Sequence, residues 1–414
     1  MTTASPRPLT VCRACRLERL TLFLPLGDHP PANRFLPESA LQAREAKFPL
    51  DAYACLACGL IQVADYIPPD FFRHYVYVPS ASRTMHHHFA DLARRVAEGP
   101  IGPRDGLIVD IGSNDGLFLS YCRDRGLRTL GVEPAENLAA VARGKGVEVV
   151  NEYFTPALAK EIRASAGPAG LVVTTNTFNH IDDLHGFVEG VRVLLAEDGV
   201  FIIEVPQATD LIGRNEFDTI YHEHLSEFSV KSLTDLLGFF DMELYDLERL
   251  EIHGGSMRAF AQHGGGPRAV ASRVAEWRRA EEEAGLYRED TYREFTGRVH
   301  ALRASLLELL HALKDAGHSL AGYGAPAKGN TLLNFCGIGP DLLLFLADRN
   351  PLKHGLYSPG MHIPVVPVER IRETPPDYLL LLAWNFADEI LREQEAFTAS
   401  GGRFILPIPE PRIL

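Results

Sequence analysis

No stretch of this 414-residue chain reaches the roughly 18 consecutive apolar residues that a membrane span needs. The first eight residues, Met1 to Pro8, lack the apolar core of a secretory signal, so a cytoplasmic location is expected. No long block of Lys and Arg is present, and the formal net charge is −13. Nucleic-acid binding rests on neutralising phosphates, so no nucleic-acid partner is expected; an anionic ligand would need a local cluster of positive groups. Six cysteines are too few for a disulfide scaffold in so long a chain. The H-E-x-x-H spacing of zinc proteases is missing, and so is the G-x-G-x-x-G turn of dinucleotide sites. The composition that remains, 46% hydrophobic with a mean hydropathy of −0.04, is that of a soluble globular protein. The length predicts two or three domains, and a monomer is expected.

The most informative stretch is Leu107 to Gly116. An apolar run ends at Asp110 and breaks into a turn containing Gly112, Asn114, Asp115 and Gly116. Leu117 and Phe118 open a helix-compatible stretch, and Thr129 to Val132 reads as a second strand ending in Glu133 and Pro134. Strand, glycine turn, helix, strand and acid is the order of a nucleotide-binding βαβ unit. Glycine lets the backbone approach a ligand, and an acid about 20 residues on can hold ribose hydroxyls. The βα rhythm continues: Leu171 to Thr175 runs into Asn176 and His180, and Gly199 to Pro206 follows a helix expected to end near Glu197. Ligands in such sheets sit at the carboxyl ends of the strands, where Asn176, His180, Glu204 and Gln207 fall.

Before this unit stand two C-x2-C pairs, Cys12 with Cys15 and Cys55 with Cys58. Two pairs complete a tetrahedron of thiolates, and four thiolates leave no open position, so a structural zinc is expected. The intervening prolines forbid a long helix, and Leu26 to Phe35 reads as a loop between short strands. Tyr75 and Tyr77 then precede a helix starting near Ser82, with Met85, Phe89, Leu92 and Val96 on one face. Spacing leaves open whether the two tyrosines pack in the core or reach into a cleft. His86, His87 and His88 point about 100° apart on a helix and do not converge on one ion; one packed and two solvated is the expectation.

Downstream, Tyr221, His222, Glu223 and His224 stand in a row. Tyr, Glu and His in one cleft can take a proton and stabilise an oxyanion, so acid–base chemistry is favoured over a catalytic metal. His253 to Ser256 reads as a turn before an edge strand at Met257, and His263 to Pro267 is a break. Phe295, Val299, Leu302, Leu306, Leu309 and Leu313 predict an amphipathic connecting helix. Ser319 to Asn330 is a second strand–turn–helix, with Tyr323 at the strand end and Lys328 at the helix start, where a phosphate can be held. Further strands end in Arg349 and Asn350, with Lys353 following, and in Trp384 and Asn385. For Lys328, Arg349 and Lys353 plain surface charge is an equal alternative. The expected class is α/β: a small zinc-binding domain over 1–75, a Rossmann-like domain over 76–262, and a second α/β domain with connecting helices over 263–414.

Asp110-x-Gly112-x-x-x-Gly116 followed by Glu133-Pro134 looks like the first two motifs of S-adenosylmethionine (SAM) dependent methyltransferases. Together with the C-x2-C pairs, Tyr-His-Glu-His-Leu-Ser, His-Gly-Gly-Ser and Tyr-Gly-Ala-x-Ala-Lys-Gly, in that order, the chain resembles the nucleotide-sugar C-methyltransferases of deoxysugar biosynthesis over essentially its whole length. The resemblance implies transfer of a methyl group from SAM to C-3′ of a dTDP-linked 4-keto-deoxysugar through an enolate. It implies that Asp110, Gly112, Asn114, Asp115, Gly116, Glu133, Pro134 and Asn176 hold SAM, with Gly112 and Gly116 toward the methionine part. His224 matches the base, Tyr221 and His180 face the sugar, Glu223 orients or charge-stabilises the histidine, and Tyr75 enters the cleft. Tyr77, Tyr323, Lys328, Arg349, Asn350, Lys353, Trp384 and Asn385 are the implied nucleotide-sugar contacts. Asn179, Gln207 and Glu227 depart from the family pattern and are expected near the sugar. The competing readings are O- or N-methylation of a sugar, which needs no enolate stabilisation, and a zinc-organised binding protein with an idle SAM fold.

Overall fold

A computed structural model describes residues 9–64, 67–99, 101, 106–252 and 254–414. His253 of the His-Gly-Gly-Ser motif lies outside the described residues. The strands, in chain order, are β1 (Leu20–His29), β2 (Phe48–Cys55), β3 (Ile61–Val63), β4 (Leu107–Ile111), β5 (Thr129–Val132), β6 (Val149–Val150), β7 (Ala169–Thr175), β8 (Leu195–Pro206), β9 (Ser226–Glu227), β10 (Met242–Leu250), β11 (Ser256–His263), β12 (Leu320–Tyr323), β13 (Leu346–Asp348), β14 (Val365–Pro367), β15 (Tyr378–Leu381), β16 (Arg403–Leu406) and β17 (Arg412–Ile413).

They form three sheets. The first is antiparallel, in order β1-β2-β3-β9, so the segment just after His224 closes the sheet of the cysteine-bearing region. The second has order β10-β11-β8-β7-β4-β5-β6. Its middle is parallel: β4 lies between β5 and β7, and chain order reverses there. All five residues of β4 are buried, as expected for a parallel strand covered on both faces. β11 runs antiparallel between β8 and β10, so Ser256–His263 is an interior strand, not the edge expected from sequence. β8 begins at Leu195, directly after the helix Leu184–Leu194, three residues before the helix end expected near Glu197. The third sheet, β14-β13-β12-β15-β16-β17, is parallel except for β17.

Glycine 112 makes the turn after β4 possible. Its φ of +77° is open to few other residues, and a β-carbon there would meet the Thr177 side chain at 2.1 Å. The helix Glu289–Asp315 buries Tyr292, Phe295, Val299, Leu302, Leu306 and Leu310 along one face. That face does more than connect. It shares one core with Phe23 and Leu24 of β1 and with Leu320, Leu332 and Leu380 of the C-terminal domain. The cysteine region in turn shares a core with Phe178, Phe228 and Leu233 of the central domain. Packing of this kind fixes the three parts around the carboxyl ends of two parallel sheets.

Candidate active site and metal centre

The four sulfurs of Cys12, Cys15, Cys55 and Cys58 are buried and lie within 4.8 Å of one another. The Cys12–Cys58 and Cys15–Cys55 separations are both 3.6 Å. Zinc–sulfur bonds of about 2.3 Å in a tetrahedron put sulfurs roughly 3.8 Å apart, so the residues fit a closed, structural zinc. The knuckle is tied to the neighbouring segments. Arg13 donates to Leu225 O, Val63 O and Asp182, the Ser229 hydroxyl donates to Cys58 O, and Ala14 O meets His185 Nε2 at 2.8 Å.

A cavity of about 590 Å³ lies where the carboxyl ends of the second and third sheets face each other. That size suits a cofactor plus a small substrate. One wall is the glycine turn, with Asp110, Gly112, Asn114, Glu133, Pro134 and Asn176. Glu133 accepts from the backbone N–H groups of Asn114 and Ala135, both at 2.8 Å, which fixes its carboxylate at the wall. Asp110 lines the cavity, and its Oδ1 is buried without a hydrogen-bond partner among the described residues. Burial, with Glu133 and Glu204 adding to it, pushes the Asp110 carboxyl up to about 8. A cationic ligand group at this wall would relieve both. The residues therefore fit SAM, whose methionine part carries an ammonium group.

Two residues assigned here from sequence are placed elsewhere. Asp115 is fully buried in an ion pair with Lys145 at 2.7 Å, off the cavity wall. Gly116 opens the helix Leu117–Arg123, and a β-carbon there would press on Ala142 at 2.9 Å, so its smallness serves helix packing.

A further part of the lining is the Tyr221–His224 segment, with Tyr75, Tyr77 and His180. The Tyr221 hydroxyl is hydrogen-bonded to His224 Nε2, and the His180 ring lies 5.0 Å from the His224 ring. Burial lowers His224 to about 3, with the Lys328 charge acting in the same direction, so the imidazole is neutral at pH 7. His180 is held well below its ordinary value by burial and by His224.

Glu223 does not touch His224, contrary to the expectation. Its carboxylate accepts from the Asn33 backbone at 3.1 Å, from the Asn33 side chain and from the Tyr75 hydroxyl at 3.1 Å. Burial raises it to about 7, opposed by those bonds. The carboxylate at His224 is instead Glu227, whose Oε1 lies 3.1 Å from Nδ1. His222 turns away, with Nε2 at the carbonyls of Phe48 and Pro49.

The strap bearing Tyr75 and Tyr77 is pinned by three asparagines. Asn137 bonds both the N–H and the carbonyl of Tyr75, Asn350 donates to Val76 O at 2.8 Å, and Asn114 donates to Tyr77 O at 3.1 Å. Both tyrosines thus face the cavity, which settles the choice the spacing left open.

From the third sheet come Tyr323, Lys328, Arg349, Asn350, Lys353 and Asn385. Lys353 is buried and donates to Ala325 O at 2.7 Å, and Arg349 is held by Glu389 and Glu393. Neither is plain surface charge. Lys328 stands 4.2 Å from the Trp384 ring centre, near Asp218, Glu216 and Glu227. Trp384 itself is off the wall, its indole N–H on Asp218 at 2.8 Å.

Sequence reasoning missed Asn33, Ser82, Thr177 and Phe72 as wall residues. It placed Asn179, Gln207 and Glu227 near the substrate, yet none of the three lines the cavity; all are buried behind it. Glu204 is likewise not a ligand group. It is buried between His88 at 2.7 Å and Arg258 at 2.5 Å. His86 bonds Tyr121 and His87 is exposed, so two histidines of the triplet are engaged where one was expected.

A sheet ordered β6-β5-β4-β7-β8-β11-β10 with one antiparallel insertion, a glycine turn after its first strand and an acid after its second define a SAM-dependent methyltransferase. Comparison with known proteins gives the family. Residues 12–72 match a zinc binding domain, residues 82–247 a methyltransferase domain and residues 251–409 the C-methyltransferase C-terminal domain. The chain is 40% identical to C-methyltransferase NovU of Streptomyces niveus over 99% of this chain and 97% of that one. It belongs to this family of C-methyltransferases, with SAM as methyl donor and a structural zinc. Among solved structures, a SAM-dependent methyltransferase from Anabaena variabilis aligns over 44% of this chain and 86% of its own at 15% identity and a TM-score of 0.37. The magnesium protoporphyrin IX methyltransferase of Synechocystis, with bound SAM, aligns over 43% and 79% at 12% identity and 0.33.

Proposed function

We propose that the protein methylates C-3′ of a dTDP-linked 4-keto-deoxysugar through an enolate. The observation that carries this reading is a neutral imidazole, His224, on the cavity wall with Tyr221 and His180 beside it. A ketone acidifies the carbon next to it. In the proposed reaction His224 Nε2 takes the proton from that carbon while the C–H electron pair moves onto the ketone oxygen. The Tyr221 hydroxyl leaves Nε2 and, with His180, donates to the developing enolate oxygen. SAM, when bound, supplies an electrophilic methyl group to the carbanion. Glu223, held by Asn33, fixes Tyr75 at the cavity rim. Tyr77, Tyr323, Arg349, Asn350, Lys353 and Asn385 are the proposed contacts for the nucleotide and sugar, Lys353 supplying positive charge on that side.

Methylation of a sugar oxygen or nitrogen would leave the Tyr221–His180 pair without a developing charge to serve. A panel of dTDP-4-keto sugars with labelled SAM, and location of the methyl by mass and NMR, tests the reading. The expected product carries a new carbon–carbon bond beside the ketone; a product methylated on oxygen or nitrogen overturns it.

A further inference from the structure

Glu227 is the buried carboxylate at His224, and it takes no part in the proton transfer proposed for that histidine. It is only 2% exposed, its Oε1 is 3.1 Å from His224 Nδ1, and its Oε2 makes no hydrogen bond among the described residues. Its backbone is fixed by pairing with Ile61 in the zinc-bound sheet, while Ser226 pairs with Gln62. The side chain is therefore aimed at the imidazole by a rigid strand, from the side away from the cavity.

One hydrogen must lie between Nδ1 and Oε1, and its origin decides what Nε2 can do. A carboxylate at Oε1 requires the proton on Nδ1 and leaves Nε2 with a lone pair. A protonated Glu227 can donate to Nδ1 instead, which puts the ring proton on Nε2 and blocks it as a base. We propose that Glu227, as carboxylate, is the positioning residue for His224: it fixes the Nδ1–H tautomer and balances the imidazolium formed when Nε2 takes the substrate proton. This rests on His224 being the base. Proton balance is simple: the substrate proton ends on Nε2, the Nδ1 proton stays in its bond to Glu227, and no proton moves to the carboxylate.

The charged and titratable groups around the pair are Tyr221 on Nε2, His180 across the ring, and Lys328 from the helix Ala327–Cys336. Burial pushes the Glu227 carboxyl up to about 8, and Lys328 opposes that rise. The competent state is thus the deprotonated one, favoured as pH rises through about 8.

The test uses full-length, zinc-loaded protein labelled with 15N-histidine and saturated with S-adenosylhomocysteine. His224 signals are assigned by their loss in His224→Asn. At pH 9 the wild type should show a protonated Nδ1 and an unprotonated Nε2, and Glu227→Gln should show mixed tautomers. Turnover of dTDP-4-keto-6-deoxyglucose by Glu227→Gln should fall about 10- to 100-fold in kcat with KM for SAM unchanged, as for other carboxylates that orient a functional histidine. Its acid limb should vanish, and Glu227→Asp should restore part of the rate. An Nε2–H tautomer in the wild type, or a Glu227→Gln spectrum and pH profile like wild type, overturns the proposal. If the tautomer responds to Glu227 but His224→Asn keeps full activity, the base assignment fails and the His224–Glu227 coupling stands.

Discussion

His224 sits 13% exposed with its Nε2 at the cavity and its basicity lowered to about 3. An imidazole so hard to protonate stays neutral at every physiological pH, and in the proposed reaction its Nε2 is open as a base when Glu227 keeps the ring proton on Nδ1. His224→Asn should lower kcat by about 10²- to 10⁴-fold, the range of a positioned acid–base group. SAM affinity measured by calorimetry should change little, since the SAM contacts are assigned to the glycine turn and Glu133 rather than to His224. A variant with wild-type turnover would remove His224 from the reaction. At this scale the sequence was legible where chemistry is local. Tyr221, His224, Tyr75, Asp110, Gly112 and Glu133 all line the one cavity, whereas Asp115 and Gly116 do not. The wrong partner for His224 has a physical cause. Glu223 is adjacent in sequence, but successive side chains diverge, so it meets Asn33, 190 residues away in sequence, while Glu227 comes round to the ring. Contacts over such separations leave no periodicity to read.

At the scale of elements, the buried charges around Glu204 clamp the helix Arg83–Glu98 to the central sheet. Glu204 of β8 meets His88 of that helix and Arg258 of β11, and Arg258 and Arg95 both reach Glu248 of β10. Burial would raise Glu204, but Arg258 and His88 outweigh it and bring the carboxyl to about 2 from an ordinary 4.5. A depressed folded-state value means stability that is present above pH 4.5 and is lost as pH falls toward 2. Arg258→Met strands Glu204 in the core and should cost about 3–5 kcal/mol in urea unfolding. A loss below about 1 kcal/mol would mean that the pair contributes little beyond its desolvation. The strand-end rule put Glu204 near a ligand because it reports position along a strand, not which buried neighbour the side chain meets.

The zinc knuckle makes a related case. Its two C-x2-C pairs were readable from spacing alone, but its docking on β9 was not, because β9 is only two residues long. Metal analysis should find about one zinc per chain, as a single four-thiolate site requires. Cys58→Ser should lose the metal. Because Cys58 O accepts from Ser229 and β3 pairs with β9, the same variant should lower kcat as well as the melting temperature. Metal-free protein with full activity and unchanged melting would contradict the coupling.

For the whole molecule, the second and third sheets meet at one cavity, and no helix among the described residues is long and apolar enough to cross a membrane. The order of the zinc-binding, methyltransferase and C-terminal segments was visible in the sequence because each carries its own signature. Their interlocking was not: the connecting helix reads as a spacer until Tyr292 and Phe295 are seen against Phe23 of the zinc-bound sheet. This closure has a chemical consequence. In the proposed reaction the base comes from the segment that precedes β9, SAM is held at the glycine turn, and the C-terminal sheet supplies a further wall. On that proposal deprotonation and methyl transfer are separable events at one place. The most direct measurement follows dTDP-4-keto-6-deoxyglucose by NMR in D₂O with the protein and S-adenosylhomocysteine, where no methyl can be transferred. Deuterium should enter at the carbon beside the ketone with wild-type protein and fail to enter with His224→Asn. A wild-type enzyme that methylates this carbon yet exchanges no proton there, or exchange that persists in the variant, would contradict the enolate account.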